Sequence, residues 1–433
     1  MEQLERDIRL IDKEPEMLLE KYSFGVGDRF GHQGKAQLQG IMQAQSQGVE
    51  IVPVWNKSNR EHTIIGTDPQ DVRRGADAAV KAAGWHHSYY VDADHIHLEN
   101  VSGFLKPSNF FTIDVADYIG QRAGADRIGA FVSQHAPYTG RLRIPGIDGT
   151  FDVSRQQLEA IANKYLNAIV EAGKIYRHIA SVKGAGTFVT EVSMDENNVP
   201  QTPVEVFFIL AAIAQEGIPA QTIAPKFTGS FHKGVDYVGD VKQFAKEFEQ
   251  DIAVIALAVK EFGLPENLKL SIHSGSDKFS IYASINKALK KFNAGLHLKT
   301  AGTTWLEEII GLAIAGGEGL AIAKHIYEEG YRRFDELCAP YMTVVEIERD
   351  KLVSPKTVNG WGAEDFANAL RHDVSCPQYD IHFRQLMHLA YKIAAEMGEE
   401  FINALEEHED SIAPCVTANI YERHIKPLFI EQD

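Results

Sequence analysis

The chain has few cysteines, an excess of acidic over basic residues and no long apolar run. Its three cysteines, Cys338, Cys376 and Cys415, are far apart, which excludes a Cys-x-x-Cys zinc site and a disulfide framework. The formal charge of -17 and the lack of a basic run with interleaved aromatics argue against a nucleic-acid partner. Without roughly 18 successive apolar residues or a signal-peptide core, we expect a cytoplasmic protein with no membrane partner.

Eight short β-rich runs alternate with amphipathic segments. This alternation, in a chain that is 44% hydrophobic and 24% charged, predicts an α/β fold, specifically a TIM-like (βα)8 barrel with parallel strands. The predicted strands cover residues 23–28, 49–55, 88–95, 110–117, 187–194, 219–227, 269–276 and 296–302. The predicted helices cover residues 34–47, 68–83, 202–215, 240–262, 278–292 and 305–315.

Two parts of the chain depart from this rhythm. The fourth interval, residues 118–186, is long and contains a Gly/Arg/Pro-bearing stretch at 140–149 and a helical run at 154–182. We interpret it as a helical insertion. From residue 321 onward the pattern is mainly helical and predicts a C-terminal extension packed on the barrel. We therefore predict a single catalytic domain over residues 1–433, with its barrel at 23–320.

Three histidines stand where strand-like runs give way to polar residues. They are His95, His232 and His273. Because the carboxyl ends of barrel strands meet on one face, these imidazoles are expected to bind one divalent metal ion with positions left open for substrate. Zinc, manganese, nickel and cobalt all accept such ligands, so the sequence leaves the metal open. His297 is a spare candidate.

Carboxylates accompany these histidines. Asp94 directly precedes His95, and both could reach one pocket if the chain turns there. Glu191 interrupts an apolar strand, so it needs a metal, a cation or a hydrogen-bond donor. The structural alternatives are a capping role for Asp94 and a salt bridge for Glu191. Asp114 raises the same question and is the weaker candidate because it could cap a helix.

The sequence also indicates an anion site. In the loop His273-Ser-Gly-Ser-Asp277-Lys278, glycine, serine and a helix start favour a bound anion, although a simple N-cap is the alternative. Cations at other strand ends suggest a small anionic substrate, unless they are solvated surface charges. The glycines at 25–31 do not form a dinucleotide fingerprint. The predicted substrate-binding residues are Arg29, Lys226, Asp277, Lys278 and Lys299.

Several of these motifs together resemble the tagaturonate epimerase family, from about residue 23 onward. The matching strings are SFGVGDRFG at 23–31, DADH at 92–95, FTID at 111–114, KFTGSFHKGVDYVGD at 226–240 and HSGSDKF at 273–279. The resemblance implies a divalent-metal-dependent epimerase that interconverts D-tagaturonate and D-fructuronate in uronate catabolism. It also implies Asp94 as proton acceptor, Glu191 as proton donor, and His95, His232 and His273 as metal ligands.

The chemistry of these two sugars favours retro-aldol cleavage. They differ at C3, counted from the carboxylate, whereas the ketone is at C5, so the C3 hydrogen is not acidic enough for simple abstraction. A base and an acid on opposite sides of C3 would serve cleavage and re-addition. A metal-dependent aldolase or sugar isomerase on the same barrel, and a non-catalytic carbohydrate-binding protein, stay open as alternatives. A neutral ketose substrate and a homo-oligomer also stay open.

Overall fold

The computed structural model describes residues 16–300, 302–342 and 344–431. Its centre is a closed barrel of eight parallel strands in the order β1-β2-β3-β4-β7-β8-β9-β10. Each strand coincides with one predicted β-rich run, so the predicted barrel is confirmed. The barrel strands are β1 (Tyr22–Gly27), β2 (Val52–Ser58), β3 (Tyr90–Ile96), β4 (Phe110–Asp114), β7 (Val189–Ser193), β8 (Thr222–Ala224), β9 (Lys269–His273) and β10 (Leu296–Lys299).

Helices follow most of the strands and cover the outside of the barrel, whereas only a short 3-10 helix (Val101–Gly103) lies between β3 and β4. Their starts follow from local sequence: at Thr202-Pro203-Val-Glu205 the threonine and glutamate side chains form a capping box and proline takes the first turn. The helices of the barrel region are α1 (Gly34–Ser46), α2 (Asn59–Ile65), α3 (Pro69–Ala83), α4 (Ala125–Gln134), α5 (Arg155–Lys183), α6 (Pro203–Gln215), α7 (Val241–Phe262), α8 (Phe279–Phe292) and α9 (Thr303–Ala315).

The long interval between β4 and β7 combines a barrel helix with added structure. Helix α5 packs against β4 and α6, as the crossover helix of a parallel pair does. Helix α4 and an antiparallel hairpin of β5 (Gly140–Leu142) and β6 (Phe151–Val153) are the added elements. The stretch interpreted as an insertion therefore also contains the connection that the barrel itself requires.

A helical region follows the barrel and packs on α9, α1 and α8. Within the described part of the chain, no helix is long and apolar enough to cross a membrane. The cytoplasmic location stays a prediction. The elements of this region are α10 (Gly317–Arg332), α11 (Phe334–Cys338), α12 (Pro355–Asn359), α13 (Ala363–Leu370), α14 (Ile381–Leu389), α15 (Tyr391–Met397), α16 (Glu399–Glu407), α17 (Glu409–Ala418) and a π-helix (Asn419–Ile430).

The inside of the barrel changes from apolar to polar along the strands. Alternation along each strand sends every second side chain inward. Near the amino ends of the strands, these side chains form an apolar layer of Val52, Val54, Tyr90, Phe110 and Val189. Toward the carboxyl ends, the interior contains Asp92, Thr112, Glu191 and Lys299, all buried. The polar end is the face on which barrel enzymes place their active sites.

Candidate active site

The end of β3 turns both Asp94 and His95 toward the site. His95 has φ 52°, a left-handed conformation that is uncommon for a residue other than glycine. The register with β4 shifts between Ala93 and Ile96, as it does at a β-bulge. Asp94 Oδ1 consequently lies 3.9 Å from His95 Nε2, although the two residues are adjacent in a strand. A strained backbone that re-aims a side chain is typical of functional sites.

Two imidazoles meet at this end of the barrel. The ring centroids of His95 and His273 are 5.0 Å apart. His95 Nδ1 lies 2.9 Å from Asp114 Oδ2, and His273 Nε2 lies 2.7 Å from Glu191 Oε1. Each ring is thus oriented through one nitrogen by a buried carboxylate, which leaves the other nitrogen available. Metal-binding histidines are usually held in this way.

Both imidazoles lie close to Asp195. His273 Nδ1 lies 3.0 Å from Asp195 Oδ1. One ligand atom each from His95, Asp195 and His273 all lie within 4.8 Å of one another, so the three could hold one ion. We call these three residues the mouth triad. A second grouping shares His95 but uses the exposed carboxylate of Glu196 and is the less enclosed of the two.

Below the mouth triad, Lys299 joins three carboxylates. Its Nζ lies 2.7 Å from Asp92 Oδ2, 2.9 Å from Asp94 Oδ1 and 3.1 Å from Glu191 Oε1. Burial is the largest single influence on the pKa of Asp94 and raises it, but Lys299, His95 and His273 together outweigh burial and lower it. Asp94 is therefore ionised at neutral pH and can accept a proton. In contrast, burial dominates at Asp92 and raises its pKa.

Excess negative charge determines the protonation of the two imidazoles. Burial opposes their charge, but the adjacent carboxylates prevail. For His95, Asp94 and Asp114 raise the pKa well above the usual range. For His273, Asp195 and Glu191 raise the pKa to about 9, although burial acts in the other direction. Both rings bind a proton at neutral pH, and a metal ion entering the mouth triad must displace these protons.

Two other histidines considered in the sequence do not join the mouth triad. His232 is buried on the loop after β8, where its Nδ1 lies 3.9 Å from Glu346 Oε2. His297 lies deeper in the barrel, with Nδ1 2.9 Å from Ser23 Oγ, and burial lowers its pKa to about 3. The structure thus brings two of the three predicted ligands, His95 and His273, close to Asp195 and places His232 apart from them, and the ligand set stays a prediction. Asp195 lies just beyond a strand end, a position that the sequence shows without marking it as a ligand.

Asp277, whose substrate-binding role stays a prediction, makes several contacts inside the protein. It is fully buried, and its Oδ2 accepts hydrogen bonds from Arg384 Nη2 at 2.8 Å and His372 Nδ1 at 3.1 Å. Thr303 Oγ1 donates to its Oδ1 at 3.1 Å, and His424 Nε2 lies 3.4 Å from the same oxygen. We call this cluster the Asp277 hub. It ties the C-terminal helices to the barrel and leaves no carboxylate oxygen for a ligand.

Lys278 and Lys299, whose predicted role in binding a substrate anion stays a prediction, also contact protein groups. The Lys278 ammonium is buried among main-chain oxygens, including those of His232 at 3.1 Å and Val235 at 2.8 Å. Lys299 is surrounded by carboxylates, so a substrate carboxylate near it would meet like charges.

The remaining predicted cations differ in accessibility. Arg29 is 6% exposed, pairs with Glu61 at 3.0 Å and stacks over the Tyr391 ring at 3.9 Å. These contacts join the barrel to the C-terminal helices. Lys226 is half-buried and lines a pocket shared with Asp195 and His273.

Comparison with known proteins decides the family. The family model for tagaturonate epimerase matches residues 3–428. The chain belongs to the tagaturonate epimerase family. A curated relative in this family, the tagaturonate/fructuronate epimerase of Thermotoga maritima, is 26% identical over 428 residues, which cover 93% of this chain and 80% of the relative.

Solved structures agree with this tagaturonate epimerase assignment. The fructuronate-tagaturonate epimerase from Cohnella laeviribosi, complexed with one glycerol, aligns with a TM-score of 0.78 at 25% identity over 96% of this chain and 82% of that one. Its native structure aligns with a TM-score of 0.75 at 24% identity, over the same shares of the two chains, and supports the fold. The predicted family, the epimerase class and the barrel with a helical C-terminal region are confirmed.

Proposed function

We propose that this protein interconverts D-tagaturonate and D-fructuronate as a metal-dependent epimerase acting through retro-aldol cleavage. The observation that carries the proposal is the mouth triad, His95, Asp195 and His273, beside the ionised carboxylate of Asp94. Membership of the tagaturonate epimerase family supports the substrate pair. The polar end of an otherwise apolar barrel supports a catalytic site rather than a structural ion pair.

The donor set fits a divalent cation. Two imidazoles and a carboxylate suit zinc, manganese, nickel or cobalt, and three protein ligands leave positions open for substrate. Raised pKa values at both histidines indicate an excess of negative charge that a dication would balance. When bound, such an ion would supply Lewis-acid polarisation of the substrate ketone.

Asp94 is the proposed base. Its carboxylate would take the proton of the C3 hydroxyl, the C3–C4 bond would break, and its electron pair would pass to the ketone to give an enediolate and an aldehyde. Rotation of the aldehyde and re-addition on its other face invert C3. A positioned carboxylate typically contributes about 10² to 10⁴ in rate to such proton transfers.

The contacts of Glu191 favour an orienting role instead of the predicted proton donor. Its carboxylate binds His273 and Lys299, and despite burial these cations hold its pKa well below the usual range. Asp92, whose pKa is raised by burial, is the neighbouring carboxyl that holds a proton more readily. Because Asp92 and Asp94 both contact Lys299 Nζ, we propose that protons pass within this group between the two half-reactions.

The proposal is tested by incubating the protein with D-tagaturonate, with and without a chelator, and measuring D-fructuronate. We expect conversion that the chelator abolishes and the metal restores. Turnover in D2O should leave C3 free of deuterium. A reagent that reacts with aldehydes should trap the three-carbon aldehyde that cleavage produces. Deuterium at C3 would contradict the retro-aldol route. Release of free fragments as main products would indicate an aldolase, and binding without turnover would indicate a carbohydrate-binding protein.

A further inference from the structure

The cations at the barrel mouth are not equivalent. Of those predicted from the sequence, Arg29 pairs with Glu61, Lys278 is enclosed by carbonyl oxygens, and Lys299 contacts three carboxylates. Among the residues that the structure describes, the Lys226 ammonium makes neither an ion pair nor a hydrogen bond. A positive charge that protein groups do not neutralise is available to a ligand.

Lys226 is also held in position at the site. It follows β8, and its backbone is fixed on both sides by Gln201, since the Lys226 N–H donates to Gln201 Oε1 at 2.7 Å and the Gln201 N–H donates to the Lys226 carbonyl at 3.1 Å. The half-buried side chain lines a small pocket. The other lining residues are Asp195, Pro225, Phe227, Phe231, Ile272 and His273. The pocket therefore joins two members of the mouth triad to one cation across apolar walls.

We propose that Lys226 binds the carboxylate of the sugar acid and selects it over the corresponding neutral ketose. This inference rests on the proposed function, in which the ion held by the mouth triad would bind the ketone end of the sugar acid. The carboxylate, at the opposite end, is then left for a cation on the pocket wall. Phe227 and Phe231 lower the local dielectric, which strengthens a charge pair with Lys226. A neutral ketose would leave the ammonium unpaired in this setting.

The main alternative for Lys226 is that it donates a proton during the reaction. The two roles differ in what arginine can replace. Arginine keeps a permanent positive charge and binds carboxylates well, but it is not deprotonated in proteins and cannot exchange protons. A carboxylate-binding role is therefore retained in Lys226→Arg, whereas a proton-donating role is lost.

The test compares Lys226→Met with wild type on D-tagaturonate and on its neutral ketose analogue. A charge-assisted hydrogen bond is worth about 10- to 100-fold, so kcat/KM for the uronate should fall by about that factor while the ketose value stays within about threefold. Lys226→Arg should recover most of the loss. The matched control is Lys233→Met, which removes a half-buried lysine on the same loop whose ammonium lies 5.6 Å from the Tyr341 ring centre.

Inhibition provides a readout that does not require turnover of the ketose. An aldonate should inhibit wild type more strongly than the matching alditol, and Lys226→Met should remove that difference. Equal loss for both inhibitors, or loss of kcat on both substrates without recovery in Lys226→Arg, would overturn the inference. Inactivity of the folded wild type on the uronate would refute the proposed function instead. Thermal unfolding of each variant identifies effects that come from misfolding.

Discussion

His273, the last residue of β9, and Asp277, four residues later on the following loop, belong to two clusters that differ in their contacts. His273 belongs to the mouth triad. There its ring nitrogen faces the carboxylate of Asp195, and both atoms could still bind a metal ion. Asp277 belongs to the hub, where arginine, histidine and threonine donors occupy both of its oxygens. Both groups combine acids with histidines inside the protein. The difference lies in whether the protein itself satisfies the polar atoms.

This difference separates a site that binds from one that holds the fold together. A carboxylate whose hydrogen-bond capacity is filled stabilises its surroundings and has nothing left for a ligand. A histidine oriented through one nitrogen keeps the other for a metal or a proton. Residue type and burial do not distinguish the two cases, whereas matched substitutions in and around the mouth triad and the Asp277 hub do.

The largest effect is expected at His273. Replacement by alanine removes a proposed metal ligand and should lower kcat/KM on the order of 10³-fold, with little change in stability. The measurement is steady-state epimerisation of D-tagaturonate together with thermal unfolding. His372→Ala in the hub is the matched control and should lose stability while the folded fraction keeps its kcat. A similar loss of kcat/KM in both variants would contradict the proposed difference between the mouth triad and the Asp277 hub.

Asp277→Ala should mainly affect stability. Removing this carboxylate leaves the fully buried guanidinium of Arg384 without its partner, which typically costs about 3–5 kcal/mol. Urea denaturation monitored by circular dichroism measures the free energy of unfolding. Asp195→Ala removes a carboxylate of the same size whose side chain is 23% exposed, and it should change this free energy far less. A stable Asp277→Ala protein with impaired substrate binding would restore the role first predicted for Asp277.

A pH-sensitive carboxyl, Glu307, lies near the hub, where Asn419 Nδ2 donates to its Oε1 at 2.9 Å. Burial, aided by Asp277, raises the pKa of Glu307 to about 7. Since the folded pKa exceeds the unfolded value, the stabilising protonated form is fully present below about pH 4.5 and is lost as the pH rises toward 7. Glu307→Gln should therefore match wild type near pH 4 and exceed it by up to about 3 kcal/mol above pH 7. If the free energies of unfolding of the two proteins differed by the same amount at every pH in this range, the raised pKa of Glu307 would be refuted.

A smaller effect is expected from the carboxylate behind His95. Asp114→Asn retains the shape but weakens the contact that orients His95 Nδ1. Loss of such an orienting partner typically lowers metal affinity or activity by about 10- to 100-fold. Metal titration by calorimetry measures it directly. An unchanged affinity would place Asp114 outside the metal site, and a change as large as that in His273→Ala would make Asp114 a ligand itself.

Much of the fold follows from local patterns. The β-rich runs, the capping residues such as Thr202 and Glu205, and the alternation of strands and helices are all local features, and they predict the barrel and its helices closely. The site is only partly local. Strand-end positions identify His95, His273 and Asp94, because parallel strands bring their carboxyl ends together wherever they lie in the chain.

The remaining features of the site depend on long-range pairing. Asp277 has the same local context as His273, and its partners Arg384 and His424 come from helices more than a hundred positions later, so no local pattern reveals them. Asp195 enters the mouth triad through a loop conformation, and His95 does so through a left-handed backbone. Whether a charged residue has a protein partner depends on the whole set of its neighbours. For Lys226, no partner is seen among the residues that the structure describes, and only three-dimensional structure makes this visible.

The most direct test of the account is the divalent-metal content of the purified protein, measured by elemental analysis in wild type and in a variant carrying both His95→Ala and His273→Ala. We expect close to one ion per chain in the wild type and a marked loss in the folded double variant. Equal metal content in the two proteins, or epimerisation by wild type stripped of metal, would contradict it.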